Sequence, residues 1–69
     1  MNDKVTKFIV NIYGSNYTIK GDIDQEYIKK LADYVDNNMR EIADQTKMAS
    51  TQRLAVLTAL YIADELFQA

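Results

Sequence analysis

The segment TQRLAVLTALYIADELFQA (51–69) constrains this chain more than any other. Between Leu54 and Ala63 only Thr58 is polar, so a helix built here is apolar around nearly its whole circumference. A helix apolar all round has to be buried all round. The chain has 69 residues, and a domain of that size buries only about 60% of the surface its unfolded form exposes. Small domains compensate with disulfides, metals or oligomerisation. With no cysteine and no histidine, disulfides and the common zinc ligand sets are excluded. No D-x-D-x-D-G loop offers a carboxylate site for calcium. Self-association is the remedy left.

The rest of the chain is too small to wrap such a helix. Residues 5–13, VTKFIVNIY, are rich in β-branched and aromatic types and predict a strand. Phe8, Val10 and Ile12 share one face; Lys7, Ile9, Asn11 and Tyr13 share the other. Gly14-Ser15-Asn16 reads as a turn, followed by a short alternating strand Tyr17-Thr18-Ile19-Lys20 that ends at Gly21. A hairpin over about 5–20 is marginal alone in water and needs something to lie on. Asp22 or Asp24 can cap the helix that follows. Ile28, Leu31, Ala32, Val35, Met39, Ile42 and Ala43 recur at spacings of three and four, which predicts an amphipathic helix over about 24–45. Ser50 is a good N-cap for the second helix, over about 51–69. The fold class expected is α+β: one domain, a hairpin followed by two helices, the second buried in a homodimer core and leading toward a coiled coil.

Within the second helix, Ala55, Ala59 and Ala63 lie four apart and form a ridge that lets another backbone approach closely. Val56, Leu60, Ala63 and Phe67 form a neighbouring stripe with the spacing of a heptad seam. The helix is still in register at Ala69 with no glycine to stop it, so the expectation is a truncated chain whose helix continues. The expected dimer interface is Leu54, Ala55, Val56, Ala59, Leu60, Tyr61, Ala63 and Phe67. Of the other tyrosines, Tyr17 and Tyr27 read as core rim, and Tyr13 and Tyr34 are open between rim and interface.

Several functional classes fall away. The nucleophile–base pairs that need histidine or cysteine cannot be assembled, and no phosphate-cradling glycine loop occurs. Asp22/Asp24 and Asp64/Glu65 read as a helix cap and a solvated edge, so no enzyme and no cofactor are expected. The net charge of −2 does not suit nucleic acid, which needs clustered lysine and arginine. The most apolar stretch, Leu54 to Ala63, is ten residues interrupted by Thr58, against about 20 for a bilayer-spanning helix. Met1-Asn2-Asp3-Lys4 opens no signal-peptide core, and a soluble cytoplasmic protein is expected. Arg40, Lys47 and Arg53 gather around the interhelix connection, as ordinary solvated charge or as a basic spot for an acidic partner.

The strings VNIYGSNYTIKG, YIKKLADYVDNNMREI and RLAVLTALYIADEL, in that order and at these separations, resemble the ZapA family of bacterial cell-division proteins over essentially the whole chain. The resemblance implies a head domain that dimerises, with a C-terminal coiled coil that joins dimers into tetramers. It implies binding to filaments of the tubulin-like GTPase FtsZ, and cross-linking and bundling of them at the division septum. No nucleotide or metal is implied. Family contacts to FtsZ near the hairpin turn and the start of helix 2 map to Ser15, which is not basic, and to Arg53, Lys47 and Arg40. Tyr61 stands where the family pattern has asparagine. The alternative function is a generic dimerisation module serving some other activity through a coiled coil.

Overall fold

The computed structural model describes residues 6–69. Val5, placed at the start of the hairpin by its sequence, lies outside the described residues, as do residues 1–4. The elements are β1 (Thr6–Ile12), β2 (Ser15–Gly21), α1 (Gln25–Thr46) and α2 (Thr51–Gln68). The expected hairpin followed by two helices is the fold observed. By compactness the chain divides into two units, one reaching to Asp36 and the other Asn37–Ala69. The division falls inside α1.

In the first unit β1 and β2 pair antiparallel, from Thr6 opposite Gly21 to Ile12 opposite Ser15. That register leaves a loop of two residues, Tyr13 and Gly14, with φ of 51° and 83°. Positive φ at both central positions is the demand of a type I′ turn, whose twist matches that of the strands. Here the structure corrects the sequence reading: Ser15 and Asn16 belong to β2 rather than to the turn. Asn16 is held there by its cross-strand partner, the Asn11 side-chain amide donating to Asn16 Oδ1 at 3.0 Å. Gly14 would have open space around an added Cβ, so its glycine answers to φ and not to crowding.

The alternation of β1 then decides its faces. Val10 is buried with Ile28 and Ala32 of α1, and Phe8, Ile12 and Ile19 pack against them. Lys7, Ile9 and Asn11 point away from that core and are exposed. The start of α1 is fixed by Asp24, whose Oδ2 accepts the Tyr27 N–H at 3.2 Å; Asp24, not Asp22, is the cap. At the other end of the hairpin, the Tyr13 N–H donates to Asp36 Oδ1, tying the turn to α1.

In the second unit the buried side chains are Met39 and Ile42 of α1 and Leu54 and Thr58 of α2. Thr58 is satisfied within its own helix, its hydroxyl donating to the Leu54 carbonyl at 2.8 Å. Ser50 caps α2 with extended backbone and accepts the Arg53 N–H. Beyond α1, Lys47 takes φ 57° while its N–H still donates to the Ala43 carbonyl at 2.8 Å. This is the left-handed helix terminus that usually falls to glycine.

Candidate functional site

α2 has two faces of different fate. Leu54 and Thr58 are each only 1% exposed, with Leu57 and Ile62 half-buried beside them. At 3.6 residues per turn, Ala63 stands about 180° around the helix from Leu54. On that opposite side Ala55, Val56, Ala59, Leu60, Ala63 and Phe67 are all exposed. Leu60 is 62% exposed and Phe67 86%. These six are the expected interface residues other than Leu54 and Tyr61. Leu54 is fully covered within its own chain and offers no surface to a partner. An apolar run alone does not say which side the chain itself will cover.

Tyr61 occupies a different setting. It lines an open groove of about 360 Å³ with Asp64 and Glu65 of α2 and Asn38, Glu41, Ile42 and Gln45 of α1. The groove is rich in carboxylates and amides, so Tyr61, 48% exposed, borders polar side chains. Leu66, 70% exposed, belongs to the stripe and was missed. Its signal was available, since it lies seven residues, or about two turns, after Ala59.

A second apolar surface lies in the first unit, where an open groove of about 200 Å³ is lined by Val10, Ile12, Ile19, Ile28, Leu31 and Val35, with Ala32 at its floor. Leu31, expected on the buried stripe of α1, is 44% exposed along this groove.

The three basic candidates are all in the second unit. Arg40 and Arg53 are exposed. Lys47 pairs with Asp44 at 3.8 Å with its side chain 81% exposed, a contact that contributes little in such solvent. Arg40 precedes Lys47 by about 10 Å of helical rise. Among the described residues, no group of three or more acidic side chains is arranged to hold a metal. No helix among them is long and apolar enough to cross a membrane.

A family model described as cell division protein ZapA matches residues 9–69. This chain belongs to the ZapA family. Curated relatives called cell division protein ZapA include that of Halalkalibacterium halodurans, 44% identical over 57 residues, which are 83% of this chain and 63% of the relative. The Geobacillus kaustophilus protein is 42% identical over 60 residues, 87% of this chain and 66% of that one. The Bacillus subtilis protein is 39% identical over 59 residues, 86% and 69% respectively. The chain thus spans about two thirds of the length of the ZapA relatives it matches. Among solved structures, a ZapA mutant dimer from Geobacillus stearothermophilus superposes with a TM-score of 0.80 at 37% identity, covering 97% of this chain and 78% of that one. The hairpin and two helices are therefore a fold shared with that ZapA structure.

Proposed function

We propose that this chain is the self-associating head of a division-ring adaptor that binds FtsZ filaments in the cytoplasm at the septum. The observation that carries self-association is the exposed apolar face of α2, running from Ala55 to Phe67 opposite the covered Leu54. Leaving Val56, Leu60 and Phe67 in water forfeits about 1.5–3 kcal/mol for each side chain that burial would recover. A similar chain is a dimer, and a second copy is the occupant that suits this face. Specific interfaces bury about 800 Å² per partner, more than one short stripe supplies. The apolar groove lined by Val10, Ile12, Leu31 and Val35 is a further uncovered apolar surface, in the first unit.

Binding to FtsZ rests on family membership, and the chemistry is contact without catalysis. Arg40, Lys47 and Arg53 are the basic side chains assigned to that contact. Cross-linking and bundling need two heads on one rigid body, because several weak contacts become strong when one bivalent molecule bridges two polymers. Tetramers and bundling are accordingly proposed for a chain that carries the coiled coil implied by the family resemblance.

The test is co-sedimentation with FtsZ polymers of this 69-residue chain beside a longer chain carrying a coiled coil. Binding by both, with bundling by the longer one alone, is the expected outcome. If neither pellets with polymers above background, the adaptor reading fails.

A further inference from the structure

The hairpin meets α1 along a narrow seam. Among the described residues its buried core is Val10, Ile28 and Ala32, each 7–9% exposed, whereas Met39, Ile42, Leu54 and Thr58 of the second unit are 1–4% exposed. Open grooves run along both sides of that core. Beside the groove of about 200 Å³ bordered by Ile12, Ile19, Leu31 and Val35, another of about 190 Å³ is bordered by Phe8, Ile9, Gln25, Lys29 and Asp33. Val10, Ile28 and Ala32 line both. At about 100° of rotation per helical residue, Lys29 and Asp33 fall on one side of the Ile28–Ala32 line and Leu31 and Val35 on the other. The core of the first unit is therefore open to water from two flanks.

The two ends of the hairpin are fixed differently. At the open end, β2 stops at Gly21 and residues 22–24 lead directly into α1. At the turn, the Tyr13 N–H donates to Asp36. A strand of seven residues is about 20 Å long, and Asp36 lies about 18 Å of helical rise beyond Asp24. The carboxylate thus holds the hairpin a full strand length from the chain connection. We propose that the hairpin is a strap that opens from α1 as one piece while the second unit stays folded, with residues 22–24 as its hinge and the Tyr13–Asp36 bond as its latch. Proteins open locally in contiguous cooperative pieces, and pieces with few buried apolar contacts open most readily. Releasing the hairpin uncovers only the thinly buried set and leaves Leu54 and Thr58 enclosed. Once detached, the hairpin also loses its pairing, because two strands alone are marginal in water. Tyr13 is then free to leave its φ of 51°, which is uncommon for such a side chain, and that relief offsets part of what the latch contributes. α1 keeps its own backbone bonds and its Lys29–Asp33 pair at 3.5 Å, so the opening stops at the hairpin.

The test is native-state amide hydrogen exchange, read by NMR on the 69-residue chain below its unfolding transition in urea. The amides paired across β1 and β2 are expected to be protected to a common level, at least tenfold below that of Ile42 and Thr58. Asp36→Ala should speed exchange of the hairpin amides at least tenfold. Asp36→Asn, which keeps the shape and loses the charge, should speed them about threefold and serves if the alanine variant folds poorly. Ile42→Val probes the other unit and should speed Thr58 about threefold while leaving the hairpin amides unchanged, because the contacts of Ile42 survive in the opened form. Equal acceleration of hairpin and Thr58 amides by Ile42→Val would mean that the chain opens only as a whole, and would overturn the proposal. Hairpin amides as well protected as Thr58 would overturn it too, as would hairpin exchange that neither Asp36 variant accelerates.

Discussion

The backbone N–H of Tyr13 donates to the carboxylate of Asp36, 23 residues further along the chain. One bond thereby joins the hairpin turn to the middle of α1 and holds a tyrosine at φ 51°, where side chains other than glycine and asparagine are uncommon. A hydrogen bond to a charged acceptor contributes about 1.5–3 kcal/mol. Asp36→Ala is expected to lower stability by about that amount in urea unfolding, with the m-value unchanged. Tyr13→Asn, which creates the favoured Asn-Gly pair of a type I′ turn, is expected to raise it by about 0.5–1 kcal/mol.

Lys47 presents the same kind of misfit at the end of α1. Its left-handed φ suits glycine, and Lys47→Gly is expected to stabilise the chain by about 0.5–1 kcal/mol. In the adaptor account the same substitution weakens binding to FtsZ polymers. Thermal unfolding and co-sedimentation on one variant therefore move in opposite directions, which a purely structural role for Lys47 does not produce.

The buried pair Leu54 and Thr58 separates two kinds of core contact. Leu54→Ala should cost about 2–5 kcal/mol, since the side chain is fully enclosed. Thr58→Val removes only a hydroxyl that turns back onto the Leu54 carbonyl of its own helix. That carbonyl keeps the backbone bonding available to it in the helix, so the change should fall within about 0.5 kcal/mol of neutral. Chemical denaturation of the two variants under identical conditions checks both values.

How much of this was legible depended on the kind of signal. The alternation Phe8, Val10, Ile12 and the stripe Ile28, Ala32, Met39, Ile42 declared the inward faces because each is bordered by polar residues. α2 has no such border between Leu54 and Ala63, so its sequence could not show that the chain covers Leu54 itself. The one polar residue there supplies no border either, because a threonine can satisfy its hydroxyl inside the helix and be buried. Tyr13 and Lys47 were invisible for a related reason. Their backbone conformations are imposed by the register of the hairpin and by the helix terminus, against the preference of the side chains. The proposed FtsZ contacts had no local signature beyond positive charge.

Charge placed on the exposed face of α2 tests the site of self-association. Leu60→Asp is expected to abolish the dimer while leaving helical circular dichroism largely intact, because Leu60 makes little contact within its own chain. Arg53→Glu should leave the dimer unchanged and weaken FtsZ co-sedimentation. An Arg53 variant that binds polymers as the unaltered chain does removes that residue from the contact.

The most direct measurement of the central claim is multi-angle light scattering of the unaltered 69-residue chain at micromolar concentration, with Leu60→Asp run beside it. The account predicts a dimer mass for the first and a monomer mass for the second. A folded, monodisperse monomer for the unaltered chain would contradict it.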